Sequence, residues 1–253
     1  MDYSLLLLAA VPVTGFLAGF INTLAGSGSL ITLPILILLG LPANVANGTN
    51  RVGVLLQNIV AVATFRKRGA LETAGSWKLI VPTVLGSVLG AELAVDLDEA
   101  LLRKTIGALM LVMLVVVSVQ PGRWLAAHAA GKPGNIWIQA PLFFAIGIYG
   151  GFIQAGVGIL LLAGLVLGAG LTLVGANALK NLIVLIFTTA ALIVFVVNGQ
   201  VHWGLGLLLA LGQGAGAWVA ARLAIARGAK FVHWVLIAIL VLSAIALLGD
   251  FSL

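Results

Sequence analysis

Two cations sit inside stretches that are otherwise apolar. Arg51 closes "NVANGTNR" (44–51) and Lys180 lies in "GANALKN" (175–181). Asn47, Thr49 and Asn50 accompany the first, and Asn177 and Asn181 the second. Asn47, Asn50, Arg51 and Asn58 recur at steps of three, four and seven, which places them on one helix face. An ionisable group at membrane depth is costly and faces a partner or a cavity. No carboxylate lies at similar depth in the sequence; Glu92, near the end of an apolar run, is the nearest candidate. A buried cation without a protein partner points to an anion supplied from outside. Snorkelling to the headgroups is the plainer alternative for long side chains, but it does not account for the asparagines beside them.

A second polar feature is the break "AGSGSLITLP" (25–34). A half-helix starting near Ser27, Gly28 and Ser29 offers free N–H groups and the positive end of its dipole to an anion. The two serines add hydroxyl donors, and Pro34 fits near the start of a short helix or as a kink. The competing reading is a glycine-rich contact between helices. Catalytic chemistry has little support: there is no cysteine, no HExxH and no pair of carboxylates within an apolar run. His128, His202 and His233 lie in loops or at a segment end. No catalytic residue, metal site or cofactor is expected.

The elements that must position these groups are membrane helices. Of 253 residues, 62% are hydrophobic and 8% charged, with three histidines and a formal charge of +6; mean hydropathy is +1.23. Soluble domains carry about 25% charged residues, so this composition implies a polytopic membrane protein. Runs such as Ile106 to Val119 show no alternation, which selects helices over a barrel. The basic residues lie in short loops, so the charge does not point to nucleic acid. "MDYSLLLL" lacks the basic start of a signal peptide and reads as a retained first span. Trp77, Trp124, Trp137, Trp203 and Trp234 mark segment ends, as in an aromatic belt.

Apolar segments fall at 4–25, 28–40, 44–65, 77–95, 101–120, 137–156, 158–170, 173–197, 203–222 and 231–249. The second and seventh are too short to cross, since a span needs about 20 residues. The polar stretch 121–136 separates a first repeat (1–120) from a second (137–253). "GFIN", ending at Asn22, reads against "GFIQ", ending at Gln154; Gly15 matches Gly147 and Gly26 matches Gly158, each 132 apart. The pair Gly86/Gly90 matches Gly212/Gly216, 126 apart. Nine basic residues gather at one set of loops, and the positive-inside rule makes that side cytoplasmic. Equivalent loops then lie on opposite sides. The expected fold is an all-α polytopic membrane protein of two inverted-topology repeats, each of five helical segments with interrupted or re-entrant half-helices. Residues 121–136 form a cytoplasmic linker, and both termini face outside. Arg103 and Lys104, on the opposite side, fit this pattern least well.

Over "GFLAGFINTLAGSGSLITLPILILLGLPANVANGTNRVG" (15–53) the chain resembles the sulfite exporter TauE/SafE family of membrane permeases. The glycine-rich break, the proline after it and "ANGTN" opening the next span look like that family's first repeat. "GGFIQAGVGI" looks like its second. The resemblance implies permeation or export of small sulfur-containing anions such as sulfite, sulfoacetate or other organosulfonates across a bacterial inner membrane. This sequence departs from the pattern in carrying serines in its first break and lacking the extra glycines and proline in its second. The halves are therefore expected to contribute unequally.

The expected site combines Asn22, Ser27, Gly28, Ser29, Asn47, Thr49, Asn50, Arg51, Gln154, Asn177, Lys180 and Asn181. Arginine suits an oxyanion because its fork gives two hydrogen bonds. Alternating access between the halves is the expected mechanism, because interrupted helices in inverted repeats place binding sites near the midplane. An inside-negative potential favours anion exit by about 2.3 kcal/mol per charge per 100 mV, so uniport suffices for export. The alternatives are an anion channel of similar architecture and a membrane scaffold in which the polar groups are helix glue. Expected partners are a small anion, the bilayer and, as an option, a second copy in a homodimer.

Overall fold

A computed structural model describes residues 5–118 and 134–249, and every described element is helical. The expected linker 121–136 falls almost wholly outside the described residues, and with it His128 and Trp124. The helices are α1 (Leu5–Leu24), α2 (Ser29–Leu38), α3 (Ala43–Lys67), α4 (Trp77–Val95) and α5 (Glu99–Ser118). After the linker come α6 (Ile136–Phe152), α7 (Val157–Gly168, its last five residues of π geometry) and α8 (Leu173–Val197). The stretch Trp203–Gly249 is helical throughout except at Gly228 (φ 69°, ψ −166°). That residue divides it into α9 (Trp203–Gly228) and α10 (229–249). Among the described residues, five helical segments therefore precede the linker and five follow it.

Among the described residues, α4, α8 and α9 are long and apolar enough to cross a membrane. The 25 residues of α3 are also long enough, but they carry the polar cluster around Arg51. The ten-residue α2 rises about 15 Å, half the hydrocarbon thickness. Short α2 and α7 are thus half-helices, as their apolar runs imply.

Small residues set how the long helices cross. On α1, a Cβ at Gly15 or Gly19 would strike the backbone of Leu209 or Gln213. On α9, a Cβ at Gly212 or Gly216 would strike the carbonyls of Pro12 and Phe16. The crossing of α4 and α6 is built alike, from Gly86 and Gly90 against Phe144 and Ile148, and from Gly147 and Gly151 against Thr83 and Ser87. Small-xxx-small steps on both partners let the backbones touch. Each first helix thus packs on the fourth helix of the other half. The next layer is α3, which lies along both α9 and α8. Val52 meets Gly206 and Val60 meets Gly214, so α3 and α9 run in the same direction. By contrast Arg51 sits under Phe195, while Gln57 and Asn58 lie beside Lys180 and Asn181. Hence α3 and α8 run antiparallel.

Candidate functional site

The two helix breaks meet at the centre of this packing. The first joins α1 to α2 through Ala25–Gly28, with Gly26 at φ 80°; the second joins α6 to α7 through Ile153–Gly156, with Gln154 at φ 65°. A Cβ on Gly26 would overlap the Cα of Gly158, and one on Gly158 would overlap the Cα of Gly26. Gly158 N–H also donates to the Gly26 carbonyl at 3.3 Å. A non-glycine residue in the left-handed region is strained. Gln154 is held there by burial and by a hydrogen bond from its Nε2 to Thr188 Oγ1.

Breaking a helix leaves its last carbonyls without partners. The cations serve that need, each across the two halves. Arg51 Nη1 donates to the Gly150 carbonyl at 3.2 Å, and Nη2 donates to the Gly151 carbonyl and, at 3.4 Å, to Asn47 Oδ1. Asn47 Nδ2 donates to the Phe152 carbonyl at 2.7 Å. The guanidinium carbon also lies 4.7 Å from the centroid of the Phe195 ring, a cation–π contact. Three consecutive carbonyls at the end of α6 are thus closed by α3. At the end of α1, Lys180 Nζ donates to Asn22 O at 3.1 Å and Thr23 O at 2.8 Å, and Asn181 Nδ2 donates to Thr23 O at 3.2 Å.

These bonds correct the expectation that the cations lack protein partners. Snorkelling is excluded as well, since Arg51 is 0% and Lys180 1% exposed. Glu92 is exposed and partners neither. Among the described residues, the buried charged side chains are these two cations and no carboxylate. The compensation comes from helix C-termini, worth about half a negative charge each.

A small cavity lies beside the crossing. It is lined by Asn22 and Gly26 from the first break, Gln57 and Asn58 from α3, Gln154, Val157 and Gly158 from the second break, and Lys180, Asn181 and Val184 from α8. The space open to the centre of a water-sized sphere is about 10 Å³, room for about one water. Asn22 Nδ2 donates to Gln57 Oε1 at 3.0 Å across this space. Asn58 Oδ1, Gln154 Oε1 and Asn181 Oδ1 are buried without hydrogen-bond partners. An ammonium group has three donors, and Lys180 uses two of them on α1.

Of the residues expected in the site, Asn22, Gln154, Lys180 and Asn181 come together at this cavity. Arg51 and Asn47 lie instead at the end of α6. Asn50 ties α3 to α2: its Nδ2 donates to Ser29 Oγ at 3.1 Å and its Oδ1 accepts from Thr32 Oγ1 at 2.6 Å. Thr49 faces the entry to α9, where its Oγ1 accepts from His202 N–H at 2.9 Å. His202 in turn caps α9, its Nδ1 accepting from Leu205 N–H at 3.2 Å. The missing Cβ of Gly28 is explained by packing, since the Ala18 carbonyl occupies that space. Ser27 Oγ and both amide atoms of Asn177 are buried and unpartnered, away from the cavity lining. Asn58 was visible in the sequence only as a member of a polar helix face, yet it and its neighbour Gln57 both line the cavity.

A helical bundle with two interlocked breaks, a polar centre and two buried cations defines a polytopic membrane protein built around a polar core. The chain belongs to the sulfite exporter TauE/SafE family, whose model matches residues 11–247. It is similar to the probable membrane transporter protein ORF9 of Sinorhizobium sp, at 31% identity over 98% of this chain and 95% of that one. It also resembles the probable membrane transporter protein of Haemophilus influenzae, at 27% identity over 92% and 91% of the two chains. A third relative is the probable membrane transporter protein YfcA of Escherichia coli strain K12, at 28% identity over 97% and 91%. No solved structure matches the chain significantly. It is thus a member of a membrane transporter family, with relatives named as transporters and not as enzymes.

Proposed function

We propose that this protein is a secondary transporter that exports small sulfur-containing anions, such as sulfite, sulfoacetate or other organosulfonates, by alternating access. The observation that carries the reading is Lys180 at a polar cavity where two helix breaks cross. Two buried cations against two helix C-termini, with the N-termini of α2 and α7 at the same breaks, leave the centre net positive, which favours an anion. The third N–H of Lys180 and the amides of Asn22, Gln57, Asn58 and Gln154 are the donors for its oxygens. Amide side chains present either end by turning over about their last bond. Ser29, Asn47, Thr49, Asn50 and Arg51 then hold the helices that shape the cavity in this state, and Gly28 packs against α1. Ser27 and Asn177, whose side chains have no partner here, are proposed to meet the anion in another state of the cycle.

The chain is read as two inverted five-segment repeats in a bacterial inner membrane, with both termini outside. Supporting this, α3 and its counterpart α8 run antiparallel, and α1 packs on α9 as α6 packs on α4. The basic ends of α3 (Arg66, Lys67) and α9 (Arg222, Arg227) lie on one side, as cytoplasmic ends should. A cavity with room for about one water has to widen before a sulfonate enters, which favours a transporter over an open channel. The inside-negative potential supplies the driving force for exit.

The test is thermal stability of the purified protein with sulfite, sulfoacetate, taurine or sulfate. A ligand at 100 times its Kd stabilises by about 2.7 kcal/mol. Wild type is expected to respond to a sulfur anion and Lys180→Gln to lose the response. No response to any of the four overturns the substrate. Counterflow in proteoliposomes separates carrier from channel.

A further inference from the structure

A second site shares no lining residue with the central cavity and opens on the outer side of the bundle. Where α3 and α9 run side by side, a groove of about 800 Å³ opens between their C-terminal ends. Its residues sort by depth. Lys67, Arg68 and Arg222 stand at one end; Ile59, Val60 and Trp218 form walls that are apolar along most of their length. Ile59 is 46% and Trp218 45% exposed, so these walls face outward. Lys67 is eight residues from Ile59, about 12 Å along the helix.

The three cations are exposed and no acidic side chain lines the groove. Arg222 is held in the wall: its guanidinium carbon lies 3.9 Å from the centroid of the Trp218 ring. A stacked guanidinium keeps its N–H edge free for oxygen acceptors. Nothing in the central cavity uses these residues, and the groove shares no lining residue with it.

We infer that this groove binds an anionic phospholipid, its phosphate between Lys67, Arg68 and Arg222 and an acyl chain along Ile59, Val60 and Trp218. The polarity of the groove carries the choice. A soluble phosphate uses the charged end and leaves the apolar walls unfilled. A zwitterionic lipid fills the walls but brings its own cation to a place that already holds three. An anionic lipid matches both ends and lies in its normal orientation in the bilayer. Basic pockets between helices at a membrane face are recognised by such headgroups.

Native mass spectrometry of the detergent-purified protein, titrated with phosphatidylglycerol or phosphatidylcholine of identical chains, tests this without any transport substrate. The wild type is expected to bind phosphatidylglycerol at least tenfold more tightly than phosphatidylcholine. The triple variant Lys67→Gln, Arg68→Gln, Arg222→Gln should lose that preference. Trp218→Ala should weaken both lipids. Arg103→Gln removes an exposed cation paired to Glu99 at 3.4 Å, outside the groove, and should change nothing. All the charged positions are on the surface, so the variants are expected to fold, which their melting curves check. Equal retention of the two lipids by the wild type overturns the proposal. So does undiminished phosphatidylglycerol binding by the triple variant. Displacement of the lipid by inorganic phosphate at comparable concentration reassigns the groove to a soluble anion and also overturns it.

Discussion

Gly26 and Gly158 occupy each other's side-chain space, backbone against backbone, where the two helix breaks cross. The chain therefore has no room for a methyl group at either position. Gly158→Ala is expected to destabilise the protein by about 1–3 kcal/mol, the range for overpacking a tight contact. Gly26→Ala should be worse by about a further 1–2 kcal/mol, because Gly26 also sits at positive φ. Thermal melts of the two variants in the same detergent check the order. Equal melting points would show that the crossing yields and that the backbone conformation at Gly26 is not under strain.

The two cations predict a separation between folding and function. Arg51→Met and Lys180→Met each remove a buried cation of similar burial, so desolvation relief is comparable in both. What differs is the carbonyls left behind. Without Arg51, the Gly150 and Gly151 carbonyls lose the side-chain donors that close the α6 end, at about 1–3 kcal/mol for each. Without Lys180, Asn22 O still accepts from Gly26 N–H and Thr23 O from Asn181. Arg51→Met is therefore expected to melt lower than Lys180→Met. Anion flux in proteoliposomes should fall more in Lys180→Met, since Lys180 alone of the two lines the cavity. If both properties move together, the division of labour is wrong.

Much of the frame was legible in the sequence because glycine spacing records helix crossings directly. Gly15, Gly86, Gly147 and Gly212 stood out as repeated landmarks, and each proves to be a point where backbones touch. The ten apolar segments match the ten helical ones among the described residues. The division between segments nine and ten is the Gly228 break, at positive φ. The partners of Arg51 and Lys180 were not legible, since a main-chain carbonyl leaves no mark on residue type. Only a fold that crosses the halves brings Gly150 to Arg51, 99 residues away, and Asn22 to Lys180, 158 residues away. Gly28 misled for a related reason: a glycine that admits another helix reads the same as one that admits an ion.

Ser27 and Ser29, two residues apart in one break, should behave in opposite ways. Ser29 Oγ accepts from Asn50 Nδ2 at 3.1 Å, so Ser29→Ala is expected to cost about 1 kcal/mol. Ser27 Oγ is buried without a partner, and Ser27→Ala should leave stability unchanged or raise it slightly. If Ser27 contacts the anion in another state of the transport cycle, Ser27→Ala raises KM with its melting point intact. A lowered melting point for Ser27→Ala would instead show that its hydroxyl is a structural group in the folded protein.

The absence of cysteine makes the proposed topology directly testable. Glu72 lies in the loop between α3 and α4, and Asn198 follows α8; both are exposed. The two loops occupy equivalent places in the two halves. Inverted repeats put them on opposite faces of the membrane, and the positive-inside rule puts Glu72 in the cytoplasm because Arg66, Lys67 and Arg68 adjoin it. Glu72→Cys and Asn198→Cys are made singly in the otherwise cysteine-free chain and treated in intact cells with an impermeant maleimide. Asn198→Cys should label at once, and Glu72→Cys only after the membrane is opened. Labelling of both from outside would sink the inverted arrangement. The reverse pattern would keep the inversion but turn the protein over, moving the termini to the cytoplasm and the basic groove to the outer leaflet.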